Sequence, residues 1–366
     1  MVTTIGQNLM PGLDFRLPEY RQEVFQRFYT FHLQYRSHPG CVYYLMPFLA
    51  ESEGWTQEQK LWFAFLNGNT QNPVTSYVIF CKFPDFSSLD VVALADWFNN
   101  PRIYQNLAWD TDRRHHKAMF IRAVASYQGN LHGKTQGEYF GGLCDGDVYH
   151  NFRRVWDAVS RGFLTFGRLS TFSYLEYLRI MGVGLDCDQL FLDDRDGSRS
   201  HRNGICKVIG RDDLDWHTSN PGFDGRYSAE MIKDLELAGE NLLVDAKARN
   251  AGTAWADDVS YFTLESALCT YKSWHRKNRR YPNVYNDLLF NRIKHAEERW
   301  IRPKLGLFWQ ARELLLPANL LLERNPLDVG CVPLKQNHYL RTGEVIMMER
   351  DWECFDSAYA RERIAA

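Results

Sequence analysis

The sequence lacks the cysteine patterns of metal and iron–sulfur proteins. Its 8 cysteines form no Cys-x-x-Cys pair, and their spacing along the chain matches no zinc or iron–sulfur site. We therefore expect no metal and no other cofactor. We interpret the cysteines as buried thiols of a protein in a reducing compartment, the cytoplasm.

Long apolar runs and an excess of charge are also absent. No apolar run is long enough to cross a membrane, so we expect neither a membrane partner nor a signal peptide. The formal net charge is −2, so no global field draws the protein to nucleic acid, and DNA binding would need a local basic face. The chain also has no Gly-x-x-x-x-Gly-Lys-Ser/Thr phosphate loop.

The chain is instead rich in apolar and aromatic residues. They make up 45% and 14% of its 366 residues, which is enough for a sizeable core in one large domain or two ordinary ones. Apolar positions recur at intervals of three and four, for instance over residues 19–36, and predict a mainly all-α fold. Further predicted helices cover residues 86–98, 152–168 and 171–181, whereas the Gly-rich residues 129–150 are predicted to form a loop.

A run of amides between two predicted apolar helices is the first candidate site. Thr56 with Gln59 predicts a capping box at the start of the first helix, and Asn72 with Pro73 predicts the start of the second. Buried amides need partners, so the run is either a polar structural turn or the lining of a site for a ligand with many hydrogen-bonding edges, such as a base. The candidate base-binding residues are Asn67, Asn69, Thr70, Gln71 and Asn72.

Residues 193–204 are the second candidate site, because they combine three carboxylates, three guanidinium groups and one imidazole in twelve residues. An arginine pair at this spacing can clamp a phosphate or a carboxylate, and an Asp or His can accept a proton. The alternative is a salt-bridged loop before a helix. The candidate catalytic residues are Asp193, Asp194, Arg199, His201 and Arg202. Asn203 is a further candidate for base binding.

Two weaker signals indicate contacts with the DNA backbone. Gly182 and Gly184 form a tight turn after a predicted helix, where free N–H groups can bind phosphate, although glycines also simply end helices. A basic cluster near residue 280 either binds a nucleic-acid backbone or is a solvated helix end. Its candidate DNA-binding residues are Arg276, Lys277, Arg279 and Arg280.

Several short motifs resemble the helix-hairpin-helix DNA glycosylases, over about residues 57–211. Residues 66–71 are similar to the helix junction that lines the base pocket in that family, residues 180–184 to its hairpin, and residues 203–211 to the helix that follows its catalytic Asp. The position of that Asp falls near Arg202 here. The family's hairpin Lys and iron–sulfur cysteines have no match.

One glycosylase-like group is more similar to the chain. Residues 67–72, with Pro73 and Ser76, resemble the phage thymine-hypermodification proteins, which are relatives of the alpha-glutamyl/putrescinyl thymine pyrophosphorylases and are also called amino acid:DNA transferases. A related helical domain is fused to 5-hydroxymethyluracil DNA kinases. The missing phosphate loop distinguishes this chain from those kinases.

This resemblance implies an architecture and a setting. It implies a glycosylase-like helical core over residues 1–225, with the hairpin near 182–184, and a helical C-terminal region over 226–366 that packs on the core. It also implies a phage-encoded protein in the host cytoplasm. The implied partners are double-stranded DNA carrying a modified uracil, an amino acid or polyamine, and a phage DNA kinase that acts upstream.

The resemblance further implies a reaction. A flipped, phosphorylated 5-hydroxymethyluracil would lose its phosphate or pyrophosphate to the attacking amine of an amino acid or polyamine, which gives a hypermodified thymine. The leaving phosphate would be bound by Arg195, Arg199 and Arg202. The proton would be taken by His201, Asp193 or Asp194. Two alternatives remain open, namely a DNA glycosylase that uses Asp193, Asp194 or Asp196, and a non-catalytic reader of modified DNA.

Overall fold

The computed structural model describes most of the chain and is mainly α-helical, as the sequence predicts. The described residues are 2–4, 18–34, 42–194, 196–216, 222–272, 288–299, 305–315 and 346–348. Within them, no helix combines the length and the apolar character needed to span a membrane.

The described helices are numbered in chain order. Helices α1 to α5 cover Pro18–Gln34, Val42–Ser52, Gln57–Thr70, Pro73–Lys82 and Val91–Phe98. Helices α6 to α10 cover Pro101–Asn106, Phe120–Asn130, Gln136–Leu143, Val148–Gly162 and Arg168–Ile180. Helices α11 to α15 cover Arg199–Val208, Ala229–Arg249, Tyr261–Tyr271, Leu288–Arg299 and Gly306–Leu315. Shorter 3-10 helices cover Thr111–Met119, Asp212–Leu214 and Ala256–Asp258.

Two short strands add a small antiparallel sheet. Strand β1, Val2–Thr4, pairs with strand β2, Ile346–Met348, with Val2 opposite Met348. The sheet therefore joins segments that are far apart in the sequence.

The predicted helix boundaries around the amide run are confirmed. The Thr56 hydroxyl accepts a hydrogen bond from the Gln59 backbone N–H, and the Gln59 side chain accepts one from the Thr56 N–H. Asn72 caps α4 by accepting a hydrogen bond from the Thr75 N–H, and Pro73 occupies the first helical position. Local capping chemistry therefore fixes both helix starts.

Two other boundary predictions were wrong. The helix predicted over residues 86–98 begins only at Val91, because Asp90 caps it by accepting the N–H of Val92. The loop predicted over residues 129–150 contains helix α8 and the start of α9. Thr135 forms a capping box at the start of α8, and that favourable cap outweighs the local glycine content.

The helices form two compact units, each of which is described by itself. In the first, α1 packs against α11, α12 and α13 around buried residues such as Phe25 and Phe28. Gln26 donates to the Leu242 carbonyl of α12 at 2.9 Å, and the Tyr29 and Thr263 hydroxyls lie 2.7 Å apart. Helix α1, near the start of the chain, therefore forms a common core with helices that begin at residue 199 or later.

The second unit contains the described residues of 40–188 and 288–312. Helix α3 packs against α4, α8 and α10, and its residues from Leu61 to Thr70 are all buried. The rings of Phe65 and Tyr127 stack with their centroids 3.9 Å apart. Aromatic side chains therefore supply much of the core directly beneath the amide run.

The grouping of helices does not coincide with the predicted domain boundary after residue 225. The first unit takes its described residues from 1–39, 189–287 and 313–366. Because α1 buries its apolar face against helices far along the chain, compact units do not follow sequence order here. The amide run belongs to the second unit, and residues 193–203 belong to the first.

Candidate functional site

The amide run forms a turn whose side chains mostly satisfy one another. The Asn69 amide donates to the Phe65 carbonyl at 3.0 Å. The Thr70 hydroxyl donates to the Asn72 carbonyl at 3.1 Å and lies 2.7 Å from the Ser76 hydroxyl, which donates to the Asn67 side-chain oxygen at 3.4 Å. These buried groups hold α3 against α4. Of the two interpretations of the amide run, a polar structural turn therefore accounts for most of its residues.

Gln71 differs from its neighbours in the turn. Its backbone is left-handed, with φ at 47°, and its side chain is only half-buried. The side-chain amide donates to the Ser173 hydroxyl at 3.2 Å, and the backbone carbonyl accepts a hydrogen bond from Arg292 at 3.3 Å. A non-glycine residue in this conformation is strained, and such strain persists where the surroundings enforce it, often at functional sites.

Arg113 lies beneath this turn, and the sequence did not single it out. It is fully buried and donates to the Asn69 carbonyl at 3.1 Å and to the Ser170 hydroxyl at 2.9 Å. A third contact reaches the Thr165 hydroxyl at 2.9 Å. The guanidinium group therefore ties the turn to the segment before α10. Arg113 begins a basic run in the sequence, and such a run is usually a solvated face, so the local pattern gives no sign of its burial.

The predicted glycine turn closes a helix. Gly182 has a φ of 92°, and its N–H donates to the Arg179 carbonyl at 3.0 Å, while the Val183 N–H donates to the Leu178 carbonyl at 2.9 Å. This pair of bonds is a Schellman motif at the end of α10. Gly182 and Gly184 are exposed, but the N–H groups of Gly182 and Val183 are already used in this motif. Their assignment to DNA binding stays a prediction.

The polar loop before α11 divides into exposed and buried members. Asp193 is exposed, whereas Asp194 is half-buried and its carboxylate accepts the N–H of Gly197 at 2.9 Å. Arg199 is exposed, with its guanidinium carbon 5.6 Å from the centre of the Trp216 ring. Arg195 lies outside the described residues. Asp193 and Arg199 are thus the predicted catalytic residues that solvent or a substrate can reach.

Arg202 and Asn203 are fully buried. Arg202 donates to the carbonyls of Leu192 at 2.7 Å and of Asp194 at 3.0 Å, and its guanidinium group lies 4.2 Å from the centre of the Tyr227 ring. Asn203 donates to the Trp216 carbonyl at 3.0 Å. These residues hold the flanking loops in place, because their donors are directed at backbone carbonyls.

His201 is also fully buried, and it connects two helices. Its Nε2 lies 3.0 Å from the Leu190 carbonyl, and its Nδ1 lies 3.0 Å from a carboxylate oxygen of Glu265 on α13. The thiol of Cys269, one turn further along α13, donates to the same oxygen at 3.4 Å. Burial raises the pKa of the Cys269 thiol to about 12, and the Glu265 carboxylate adds to the shift.

The sequence did not single out Glu265, Cys269 or the buried Lys272. A signal was present, because these three residues recur at intervals of four and three along α13 and at its C-cap, among mostly apolar residues. That spacing places them on one face of α13. This face packs against α11, which is far away in the sequence. The contact between the two helices is therefore visible only in the structure.

A cavity of about 640 Å³ adjoins the polar loop in the first unit. The residues that line it include the acidic Asp193 and Glu236, the basic Arg226 and Lys233, and Tyr227. Burial and the nearby charge of Asp193 raise the pKa of the Glu236 carboxyl. The cavity thus offers charges of both signs. The predicted DNA-binding residues Arg276, Lys277, Arg279 and Arg280 lie outside the described residues.

Comparison with known proteins defines the class of this mainly helical chain as a DNA-modifying transferase. Residues 43–280, more than half of the chain, match the family profile described as amino acid:DNA transferase, and the protein belongs to that family. The chain is 30% identical over 335 residues to a protein of Salmonella phage ViI named serinyltransferase, with 88% of this chain and 80% of that protein covered. No solved structure matches.

These findings confirm the predicted resemblance to amino acid:DNA transferases and the prediction of an enzyme. The protein transfers an amino acid to DNA, so DNA and an amino acid are its substrates. The likeness to helix-hairpin-helix glycosylases stays a prediction. After Gly184, the described residues form no helix before α11, so the turn at residues 182–184 does not lead directly into a second helix.

Proposed function

We propose that the protein replaces the phosphate or pyrophosphate of phosphorylated 5-hydroxymethyluracil in phage DNA with the amine of an amino acid. The family match carries this proposal, because it covers both the amide turn and the α11–α13 cluster. The name of the phage relative makes serine the first amino acid to test, ahead of polyamines. A DNA kinase acting earlier in the host cytoplasm would supply the phosphorylated base.

The reaction balances without an oxidant or a reductant. The nitrogen lone pair of the neutral amine forms a bond to the methylene carbon attached to the uracil ring. The carbon–oxygen bond to the phosphate breaks, and the phosphate leaves with that electron pair. The amine then loses a proton to a base. Catalysis therefore requires a neutral amine, a cation near the leaving group and a base that is held in place.

For the leaving phosphate we assign Arg199. Its exposed position at the start of α11 allows contact with a substrate, and the helix N-terminus adds a favourable field for an anion. Arg202 is assigned a positioning role, because its guanidinium group is committed to the backbone carbonyls of the preceding loop. His201 is fully buried, so we do not assign it a direct contact with the amine.

For the amino acid we assign the cavity beside the polar loop. A free amino acid is a zwitterion, and this wall carries the complementary charges, with Arg226 and Lys233 for the carboxylate and Asp193 and Glu236 for the ammonium group. Asp193 is therefore our candidate for the base that accepts the amine proton. Asp194 keeps a supporting role through its contact with Gly197.

For the base we assign Gln71, since it is the half-buried member of a rigid turn. Its amide can donate to and accept from the edge of a pyrimidine that has left the stack. Asn67, Asn69, Thr70 and Asn72 would support this contact by fixing the turn. Asn203 would act in the same way within its own unit, through the Trp216 carbonyl.

The reaction is tested on duplex DNA that contains phosphorylated 5-hydroxymethyluracil, with serine and with other amino acids. Mass spectrometry of the digested nucleosides should show a serine adduct and an equal amount of released phosphate. Serine has two nucleophiles, so a reagent for primary amines then distinguishes attachment through nitrogen from attachment through the hydroxyl. Strand breakage after mild base would identify a glycosylase. Bound but unchanged DNA with every amino acid would identify a reader, and either result refutes the proposal.

The role of Gln71 is tested with two substitutions that suit its left-handed backbone. Gln71→Gly removes the amide without adding strain, whereas Gln71→Asn retains an amide in a residue that tolerates this conformation. We expect Gln71→Gly to raise the KM for DNA about tenfold with little change in kcat, as for one lost hydrogen bond, and Gln71→Asn to have a smaller effect. Unchanged KM values in both variants would remove Gln71 from the site.

A further inference from the structure

The donors of His201, Glu265 and Cys269 form a compact triangle between α11 and α13. One ligand atom from each residue, the His nitrogen, a carboxylate oxygen and the Cys sulfur, lies within 4.8 Å of the other two. The Nδ1–Oε1 separation is 3.0 Å and the Sγ–Oε1 separation is 3.4 Å. We propose that this triangle binds one divalent transition-metal ion, with zinc as the favoured species.

The spacing of the donors suits such an ion. Zinc bonds of roughly 2.0 to 2.3 Å at tetrahedral angles place neighbouring donors about 3.3 to 3.8 Å apart. The 3.0 and 3.4 Å separations lie within a few tenths of an ångström of that range. The third separation, between the His201 nitrogen and the Cys269 sulfur, is no more than 4.8 Å.

The surroundings of His201 favour a metal-binding tautomer. Its Nε2 lies 3.0 Å from the Leu190 carbonyl, and a carbonyl can only accept, so this nitrogen carries a proton. The lone pair of Nδ1 then points at the Glu265 carboxylate, and a proton or a cation must lie between two such acceptors. A backbone carbonyl that orients a ligating imidazole in this way is a recurrent feature of metal sites.

The chemical nature of the donors selects the metal. An imidazole nitrogen, a carboxylate oxygen and a thiolate sulfur together suit zinc and related transition metals, whereas magnesium and calcium prefer oxygen donors alone. Three protein ligands leave a fourth position for water or another ligand, and Cys269 is the partly exposed member of the set.

The ion would fix α11 to α13. Arg199 and Arg202 both lie on α11, so this contact also fixes the polar loop. The site revises the expectation of no metal. That expectation used spacing along the sequence, where His201 and Glu265 are far apart. The inference does not depend on which base or amino acid is the substrate.

The test is elemental analysis of the full-length protein, purified without chelators. We expect about one zinc ion per chain in the wild type, and less than one-tenth of that in His201→Ala and Cys269→Ala. Cys81→Ala is the matched control, because Cys81 is an exposed free cysteine on α4, and it should retain the metal. Equal zinc content in Cys269→Ala and Cys81→Ala would overturn the proposal.

A second measurement does not depend on the folding of the variants. Cobalt(II) is titrated into the metal-free wild-type protein, and circular dichroism verifies that its helices are intact. Thiolate coordination should produce an intense near-ultraviolet charge-transfer band that saturates at about one equivalent and is absent in Cys269→Ser. A wild-type protein that is purified without metal and shows no such band would refute the site.

Discussion

Arg199 and Arg202 lie three residues apart on α11 but have opposite environments. Arg199 is exposed, whereas Arg202 is fully buried with its guanidinium group committed to two backbone carbonyls. We expect Arg202→Ala to lower the free energy of unfolding by about 3 kcal/mol, through lost charge-assisted hydrogen bonds and a cavity. Arg199→Ala should leave stability within about 0.5 kcal/mol of the wild type and slow the chemical step roughly ten- to a thousandfold.

Chemical denaturation and single-turnover kinetics measure these two effects separately. Arg202→Lys serves as a control, because it keeps the charge and loses the planar guanidinium group that lies against the Tyr227 ring. A stable Arg202→Ala protein whose chemical step is as slow as that of Arg199→Ala would instead place both arginines at the phosphate.

For single residues, the sequence predicts hydrogen bonds between close neighbours in the chain better than contacts between residues that are far apart in it. The caps at Thr56 and Asn72 were predictable because each bonds within three residues. Arg113 and Glu265 were not, because their partners lie far away in the sequence. A charged residue in a polar run looks solvated until the fold buries it, and the local pattern contains no information on that outcome.

Among the described helical glycines, Gly204 allows the closest approach between two helices, α11 and α13. A Cβ atom at Gly204 would lie 2.4 Å from the Leu268 carbonyl oxygen. We expect Gly204→Ala to lower the free energy of unfolding by about 3 kcal/mol, because the helices must separate and the His201–Glu265 contact must lengthen. Thermal and chemical denaturation measure the change.

Gly129→Ala is the matched control. Gly129 lies on α7, and a Cβ atom at this position would meet no neighbouring element within 4 Å. The same chemical change should therefore be neutral or stabilising by up to about 1 kcal/mol. Equal losses of stability in both variants would show that the crossing tolerates a methyl group.

Element boundaries show where sequence patterns compete. Periodicity predicted α1, where exposed residues recur between buried ones. It also predicted α10, although residues 170–178 of that helix are buried on all sides. The Gly-rich composition of residues 129–150 predicted a loop, yet the capping box at Thr135 starts α8 there. Glycines lower helix stability by an amount that a cap and tertiary packing can offset, so composition alone misplaced this element.

For the whole molecule, DNA binding has to come from local charge, since the formal net charge is only −2. We expect Arg279→Ala and Arg280→Ala to weaken binding equally on all DNA sequences. Each should reduce the slope of log K against log salt concentration by about 0.9, as for one lost phosphate contact. Fluorescence anisotropy over a series of salt concentrations measures the slope.

Lys134→Ala is the control for this experiment, since Lys134 is an exposed cation in another part of the chain and its loss changes the net charge by the same amount. An identical reduction of slope in the control would mean that overall charge, and not the cluster, determines binding.

The fold class of the whole molecule was predictable, while the grouping of its helices was not. Intervals of three and four identify helices wherever they occur. They do not show that α1 packs against α11, α12 and α13. Which apolar faces meet depends on complementary shapes, such as the space that Gly204 leaves for Leu268, and a linear pattern does not encode those shapes.

The first unit is built from segments that are far apart in the sequence, and this has a consequence during synthesis. A ribosome that adds 5 to 20 residues per second needs roughly 10 to 50 s to proceed from the end of α1 to the end of α13. Phe25 and Phe28 have no partner surface from α11 until residue 208 has been added, and none from α13 until the end of the interval. The nascent chain therefore exposes an apolar helix face while the helices of residues 42–188 are already complete. We expect that face to be the segment that ribosome-associated chaperones bind.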